Sequence, residues 1–397
     1  MDYYQIGKHS ERECLVDPQG KPFFTLGIVH SKVYFELKGR TNLESKNNNK
    51  LVKKIVSDFL DWGFNSAGYH SPLEVMDYLP FMQDSYLAPI SYWMGKPVYP
   101  DVFNPIYKKS IEDKLERIYK IVRHHSNLIG YYWTDTPRWD LNKARNQYNT
   151  DWVSTFRSLS ASSPGKEKYV TFLYELINDH DELKIYSGIK NPKYKDLLKS
   201  DFSKLNLAHP VVKKHDSEFL RLIARQYYSI AAQVTKKLDP DHLIFGDRYL
   251  AGDHPIEVLQ EALPFVDAIS VQPYDVIFNP EYFNNLHSIT GKPILICDHA
   301  INFPTKKFPE TIWLQCPNEL EAAKAYTEYL KALIECPYIL GYHRCQYIDQ
   351  ETSTGSPLKQ GFLRTNEKPY KVLLKHVRKT NLEVMKTFSE RTVQKQD

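Results

Sequence analysis

Eight short runs of apolar and aromatic residues recur along this chain, and the stretches between them carry helical periodicity. The runs are Phe23 to Val29, Phe64 to Tyr69, Ile90 to Trp93 with Val98 to Tyr99 beside it, Ile129 to Trp133, Leu243 to Phe245, Ala268 to Gln272, Ile294 to Cys297 and Ile339 to His343. Their length and their enrichment in β-branched and aromatic residues predict strands. Between them, Ile111, Leu115, Ile118 and Val122 fall on one helical face, as do Phe219, Leu222, Ile223, Gln226, Tyr227, Ile230 and Val234. Asn318 followed by Glu321 resembles a capping box and predicts a helix running to about Ile334. Leu51 to Asp61, Pro72 to Leu79, Ile256 to Leu263, Pro280 to Leu286 and Tyr370 to Val377 predict shorter helices. Alternating strand and helix specifies parallel strands joined by crossover helices.

Eight such units predict an α/β fold of the closed kind, a single (β/α)8 TIM barrel. An open doubly wound sheet is the alternative, but the chain has no G-x-G-x-x-G and no G-x-x-x-x-G-K-[ST] to recommend nucleotide binding. A length of 397 residues suits one barrel with additions, so residues 1–397 read as one catalytic barrel. The surplus concentrates after strand four. About 140–215 is far longer than one crossover helix needs, and it reads as an inserted, partly helical wall of the active site.

Charge and composition exclude several classes. Lys and Arg number 52 against 48 Asp and Glu, with no basic stripe among the aromatic segments, which argues against a nucleic-acid partner. No run of about 18 apolar residues exists to cross a membrane. The polar start carries no secretory signal, so the expected location is cytoplasmic or periplasmic. Cys14, Cys297, Cys316, Cys336 and Cys345 are too scattered for a disulfide framework. The 28 Tyr, 19 Phe and 6 Trp are more rings than a core needs, and Tyr and Trp together suit a ligand with apolar faces and hydroxyl edges, a sugar.

In a (β/α)8 barrel the reactive residues stand where strands run into loops at one face. Strand one leads into His30, strand two into Tyr69 and His70, strand three into Tyr92 and Trp93. Strand four delivers Trp133, Asp135, Arg138 and Trp139; strand five, Asp247, Arg248 and Tyr249; strand six, Gln272 and Tyr274. Strand seven gives Asp298 and His299, and strand eight His343, Arg344, Gln346 and Tyr347. Glycosidic hydrolysis needs two carboxyl groups across a pocket, one protonating the leaving oxygen and one attacking or activating water. Asp135 and Asp298 form the natural pair. Asp135 can instead pair with Arg138 or Arg248, and Asp247 beside Arg248 reads as an orienting ion pair or a hydroxyl acceptor. The four histidines come from separate strands without an H-x-H pair, so they read as hydroxyl partners, with no metal and no cofactor expected.

The segment LIGYYWTDTPRW resembles strand four of clan A glycoside hydrolases, particularly agarase and β-galactosidase-like families. FLRLIARQYYSIAAQVTKKLDPDHLIFGDRY with FVDAISVQPY is similar to their strands five and six, GKPILICDHA to strand seven, and GYHRCQYIDQ followed by KQGFLRTNEKPY to strand eight. The resemblance implies a hydrolase of galactose-containing or related algal-type oligosaccharides, with its acid/base after strand four and its nucleophile after strand seven. This chain departs from the pattern at both places. Thr136 and Pro137 stand where the family has Asn and the acid/base Glu, and Asp298 replaces the nucleophilic Glu. Inversion, or an acid role passed to Asp140 or Glu175, stays open beside the Asp135 assignment.

The leading expectation is an exo-acting, agarase-like glycoside hydrolase with Asp298 as nucleophile or base and Asp135 as acid. Trp133, Trp139, Tyr274 and Tyr347 are expected to stack sugar rings. His30, His70, Arg138, Asp247, Arg248, Gln272, His299, His343, Arg344 and Gln346 are expected to bind hydroxyls. A sugar-binding barrel that lost hydrolysis and a metal-dependent hydrolase are the rivals.

Overall fold

The computed structural model describes residues 2–39, 48–177, 180–313, 315–351 and 358–392. Among them, β4 (Thr25–Ile28), β5 (Ser66–Ala67), β6 (Phe81–Asp84), β7 (Leu128–Asp135), β8 (Leu243–Leu250), β9 (Ile269–Gln272), β10 (Ile294–His299) and β11 (Ile339–Arg344) pair in parallel. Because β11 pairs with β4, the sheet closes into a barrel, and the open-sheet alternative falls. Seven of the eight expected runs overlap a barrel strand. The third does not: the strand is Phe81–Asp84, and Ile90 to Trp93 is loop, tied to the end of β7 by Ser91 on the Asp135 carbonyl and Trp93 on the Asp135 carboxylate.

A feature without a counterpart in the sequence reading precedes the barrel. β1 (Gln5–His9), β2 (Arg12–Val16) and β3 (Pro22–Phe23) form an antiparallel sheet. Tyr4 and Leu15, with Ile6 and Phe23, pack into the same apolar cluster as Ile129, Leu243, Phe245 and Leu340. These residues plug the end of the barrel away from the strand C-termini. The bottom is therefore sealed by apolar burial, and the described chemistry gathers at the opposite mouth.

Strand parity decides which side chains reach that mouth. Tyr131 and Trp133 of β7 belong to the outer cluster between strands and helices, while Ile129 and Tyr132 belong to the inner one. A register shift between Tyr132 and Asp135 breaks strict alternation. Trp133 and Thr134 consequently both face the helix Pro210–Leu238, bonding Thr235 at 3.1 Å and Tyr227 at 2.6 Å, and Asp135 is turned inward. On β8 the device is Gly246, whose φ of +63° only glycine adopts freely. Phe245 points in, Asp247 points out to Tyr228, and Arg248 points in again.

The described residues of the insertion are mainly helical: Leu141–Tyr148, Trp152–Ser158, Pro164–Leu176, His180–Ser187 and Tyr194–Lys199 precede Pro210–Leu238. It is rooted by Asp216, which pairs with Arg145 at 2.7 Å and with buried Arg157, and by Trp152 stacked on Trp139 at 4.7 Å. No helix among the described residues is long and apolar enough to cross a membrane.

Candidate active site

A cavity of about 350 Å³ opens at the C-terminal mouth of the barrel, within the size range of small-ligand sites. Asp135 and Asp298 both line it, and both are tied to Arg248, which is fully buried. Arg248 Nη1 donates to Asp135 Oδ1 at 2.8 Å and Nη2 to Asp298 Oδ2 at 2.6 Å. The guanidinium also lies 3.6 Å from the Tyr69 ring centroid, a cation–π contact that holds the fork in plane. One arginine thus fixes the separation of the two carboxylates, and strands four and seven meet chemically through strand five.

Their environments differ. Asp135 accepts from Gln272 Nε2 at 2.9 Å and Trp93 Nε1 at 2.9 Å besides Arg248, so both of its oxygens are engaged. Asp298 is 1% exposed. Burial pushes its carboxyl up, but the His30 hydrogen bond and the Arg248 charge outweigh that and hold it at about 2. Its Oδ1 has no hydrogen-bond partner among the described residues. Asp298 is therefore an ionised carboxylate whose second oxygen is buried without a hydrogen bond from the described nitrogen and oxygen donors.

That shift carries a pH consequence. A depressed carboxyl stabilises the fold fully above its unfolded value of about 4, and the contribution disappears as pH falls toward about 2. Urea midpoints measured across this window should fall steeply for the wild type and more gently for Asp298→Asn. Asp247 acts with the opposite sign. Burial raises it to about 7 against hydrogen bonds from Tyr228, Trp139, Thr134 and Tyr227, so it lowers stability as pH rises from about 4 through about 7.

Aromatic rings supply the apolar faces. Tyr274 stacks on Trp313 at 3.8 Å and 7°, and Trp93 is 55% exposed at the rim. Tyr69, Tyr86 and Tyr92 complete the wall. Of the expected contacts, His30, His70, Gln272, Tyr274 and Gln346 line the cavity, and Arg248 lies directly beneath it.

Several expected contacts are corrected. Trp133 and Trp139 are buried behind the wall, bonded to Thr235 and stacked on Trp152, because the β7 register shift turns that edge outward. Tyr347 packs against Trp62 and donates to Asp58 at 2.5 Å. Tyr249 and Asp247 face the Tyr227–Tyr228 cluster, and no ion pair joins Asp247 to Arg248. Arg138 pairs with Asp253 rather than Asp135. His299 is sandwiched on Tyr329 with Nε2 at 2.7 Å from the Asp275 carbonyl. Arg344 donates to the Ile301 carbonyl at 3.0 Å.

His343 fills the barrel interior, where Gly27 and Gly68 leave room that a Cβ at 2.7 and 2.8 Å from its ring would deny. Burial lowers its imidazole to about 3, so it is a neutral core residue. Asp140 caps a helix by accepting from Lys143, and Glu175 is exposed on the helix Pro164–Leu176, outside the cavity wall. The insertion reaches the site from behind: the Tyr148 hydroxyl donates to the Tyr92 carbonyl, and Gln147 accepts from Arg138.

Other lining residues escaped the strand-end reading. Glu36 lies on the helix Val33–Leu37, one turn beyond Val33, so both meet the cavity. Trp313, Gln350 and Gln360 sit on long loops, and Cys345 follows β11 directly. His30, Asp298 and Cys345 are the described side chains whose donor atoms come within 4.8 Å of one another in a set able to hold a metal ion.

No family model matches the sequence. Among curated proteins, β-agarase B of Vibrio sp. (strain JT0107) is 23% identical over 351 residues, covering 84% of this chain and 36% of that protein. The chain thus spans about a third of the length of the curated relative it matches. Among solved structures, an agarase, AgWH50C, superposes with a TM-score of 0.81 at 18% identity, covering 98% of this chain and 66% of that one. An exo-β-agarase gives 0.82 at 16% identity over 97% and 66%. A GH2 β-galacturonidase from Eisenbergiella tayi gives 0.55 at 13% over 96% and 54%. By fold, this chain is an agarase-like (β/α)8 barrel.

Proposed function

We propose that this barrel is a glycoside hydrolase acting on agar-type, galactose-containing oligosaccharides, with Asp298 and Asp135 flanking the scissile bond. The observation that carries it is the pair of carboxylates from strands four and seven, joined through Arg248 at the floor of an aromatic-walled cavity. Asp298, ionised and lining the cavity, attacks the anomeric carbon or deprotonates water. Asp135 serves the leaving oxygen, and Trp93, Tyr274 and Trp313 carry the sugar faces. Exo action, with the insertion closing one end of the cleft, is part of the same proposal, as is residues 1–397 acting as one catalytic unit. The likeness to agarases supports the substrate class.

A second reading has its own observation. Pro137 stands where the resembled families carry their acid/base Glu, and every oxygen of Asp135 is occupied as an acceptor. A barrel that binds sugar without cleaving it fits those facts. Turnover of agar-type and other galactose-containing oligosaccharides, measured beside calorimetric binding of the same panel, separates the two. Hydrolysis from one chain end supports the proposal, and binding without turnover selects the second reading.

A further inference from the structure

We propose that His30, Asp298 and Cys345 form a zinc-type metal site at the cavity floor, with the fourth position open to the cavity. This goes beyond the hydrolytic reading and does not depend on it. The three residues bring imidazole nitrogen, carboxylate oxygen and thiolate sulfur, a donor set suited to zinc. His30 Nε2 and Asp298 Oδ2 are 3.5 Å apart, close to the tetrahedral edge of about 3.3 Å that ligands at 2.0–2.1 Å define. Cys345 Sγ lies within 4.8 Å of a donor atom of each of the other two residues, so closing the site requires a movement of about an ångström. Independent of that spacing, Oδ1 of Asp298 is a buried carboxylate oxygen without a hydrogen-bond partner.

The surroundings match what metal ligands need in order to be oriented. His30 Nδ1 meets His70 Nδ1 at 3.3 Å, and His70 Nε2 faces Glu36 Oε1 at 3.8 Å, a chain that fixes the ring of His30 through its second nitrogen. Gln360 Nε2 donates to Cys345 Sγ at 3.0 Å. Arg248 donates to Asp298 Oδ2, the oxygen that also faces His30, and leaves Oδ1 to turn toward an ion. Both histidines hold left-handed backbone, φ 56° and 55°, which is uncommon outside glycine although histidine adopts it more readily than most residues.

Charge balance points the same way. Asp135 and Asp298 against the single Arg248 leave one negative charge uncompensated, which burial makes costly. A divalent ion with Asp298 and a Cys345 thiolate, beside the Arg248–Asp135 pair, sums to zero. A thiol ligates zinc as the thiolate, so Cys345 gives up its proton when the ion binds. Binding therefore forms one metal–sulfur bond and releases one proton, from Cys345 Sγ, to solvent. Because Asp298 is shared, zinc and an anomeric carbon compete for one carboxylate.

The test is titration of the chelator-treated full chain with Co²⁺ alone. One ion per chain is expected, with a sulfur-to-cobalt charge-transfer band in the near ultraviolet and tetrahedral visible bands. Cys345→Ser should lose the ultraviolet band, and His70→Asn, which tolerates the left-handed backbone, should weaken binding about 10–100-fold. No saturable binding, or an ultraviolet band that survives Cys345→Ser, overturns the site. Should the serine variant not fold, X-ray absorption of the zinc-loaded wild type decides. One sulfur near 2.3 Å with nitrogen and oxygen near 2.0 Å is expected, and a shell of nitrogen and oxygen alone contradicts it.

Discussion

Arg248→Met is expected to cost about 3–5 kcal/mol of folding stability, because it leaves two buried carboxylates facing each other without their shared cation. Arg248 is wholly buried and donates to Asp135 at 2.8 Å and Asp298 at 2.6 Å, so no solvent replaces it. Urea unfolding at neutral pH reads the loss. The triple variant Arg248→Met, Asp135→Asn, Asp298→Asn separates cause from packing. Removing both negative charges with the positive one should recover much of the loss, since a missing ion pair costs far less than half of one. If the triple variant is no more stable than the single one, the penalty comes from the Tyr69 packing beneath the guanidinium and not from charge.

The second large effect concerns activity. Asp298→Asn should lower hydrolysis of agar-type oligosaccharides by about 10²–10⁴-fold while leaving sugar binding within a few-fold. Asparagine still accepts from Arg248 Nη2 and keeps the shape of the site, but it cannot attack carbon or take a proton from water. Asp135→Asn should also lower turnover, with Trp93 and Gln272 bonds partly kept. Steady-state kinetics that show a raised KM with unchanged kcat for Asp298→Asn would move Asp298 from the reaction to simple binding.

Much of the fold is readable in the sequence because the barrel strands are short apolar runs between amphipathic helices. Strand four, LIGYYWTD, is buried at every position and announces itself. Strand three does not. FMQD is four residues long and half polar, and the more apolar ISYW nearby draws the assignment to a loop. The N-terminal sheet is missed for a related reason, since Gln5–His9 holds a single large apolar residue, Ile6, and looks like a tail until Tyr4 and Leu15 are seen inside the barrel.

At the site, the identity of the two carboxylates and of Arg248 can be read from strand ends. Which neighbours of those residues point inward cannot. The β7 register shift and Gly246 reset parity, so Trp133, Asp247 and Tyr249 are sent outward while Asp135 and Arg248 are kept. Glu36, Trp313 and Gln360 arrive on a helix and on loops, where spacing from a strand says nothing. The potential metal ligands belong to strands one, seven and eight, and no local motif links residues so far apart in sequence.

The most direct test of the site is a crystal structure of the Asp298→Asn chain with an agar-type oligosaccharide bound. The expected result is one sugar ring against Trp93 or the Tyr274–Trp313 stack, with a glycosidic oxygen between residues 135 and 298. A sugar bound elsewhere on the barrel, or one in this cavity with both positions remote from any glycosidic bond, would contradict the assignment.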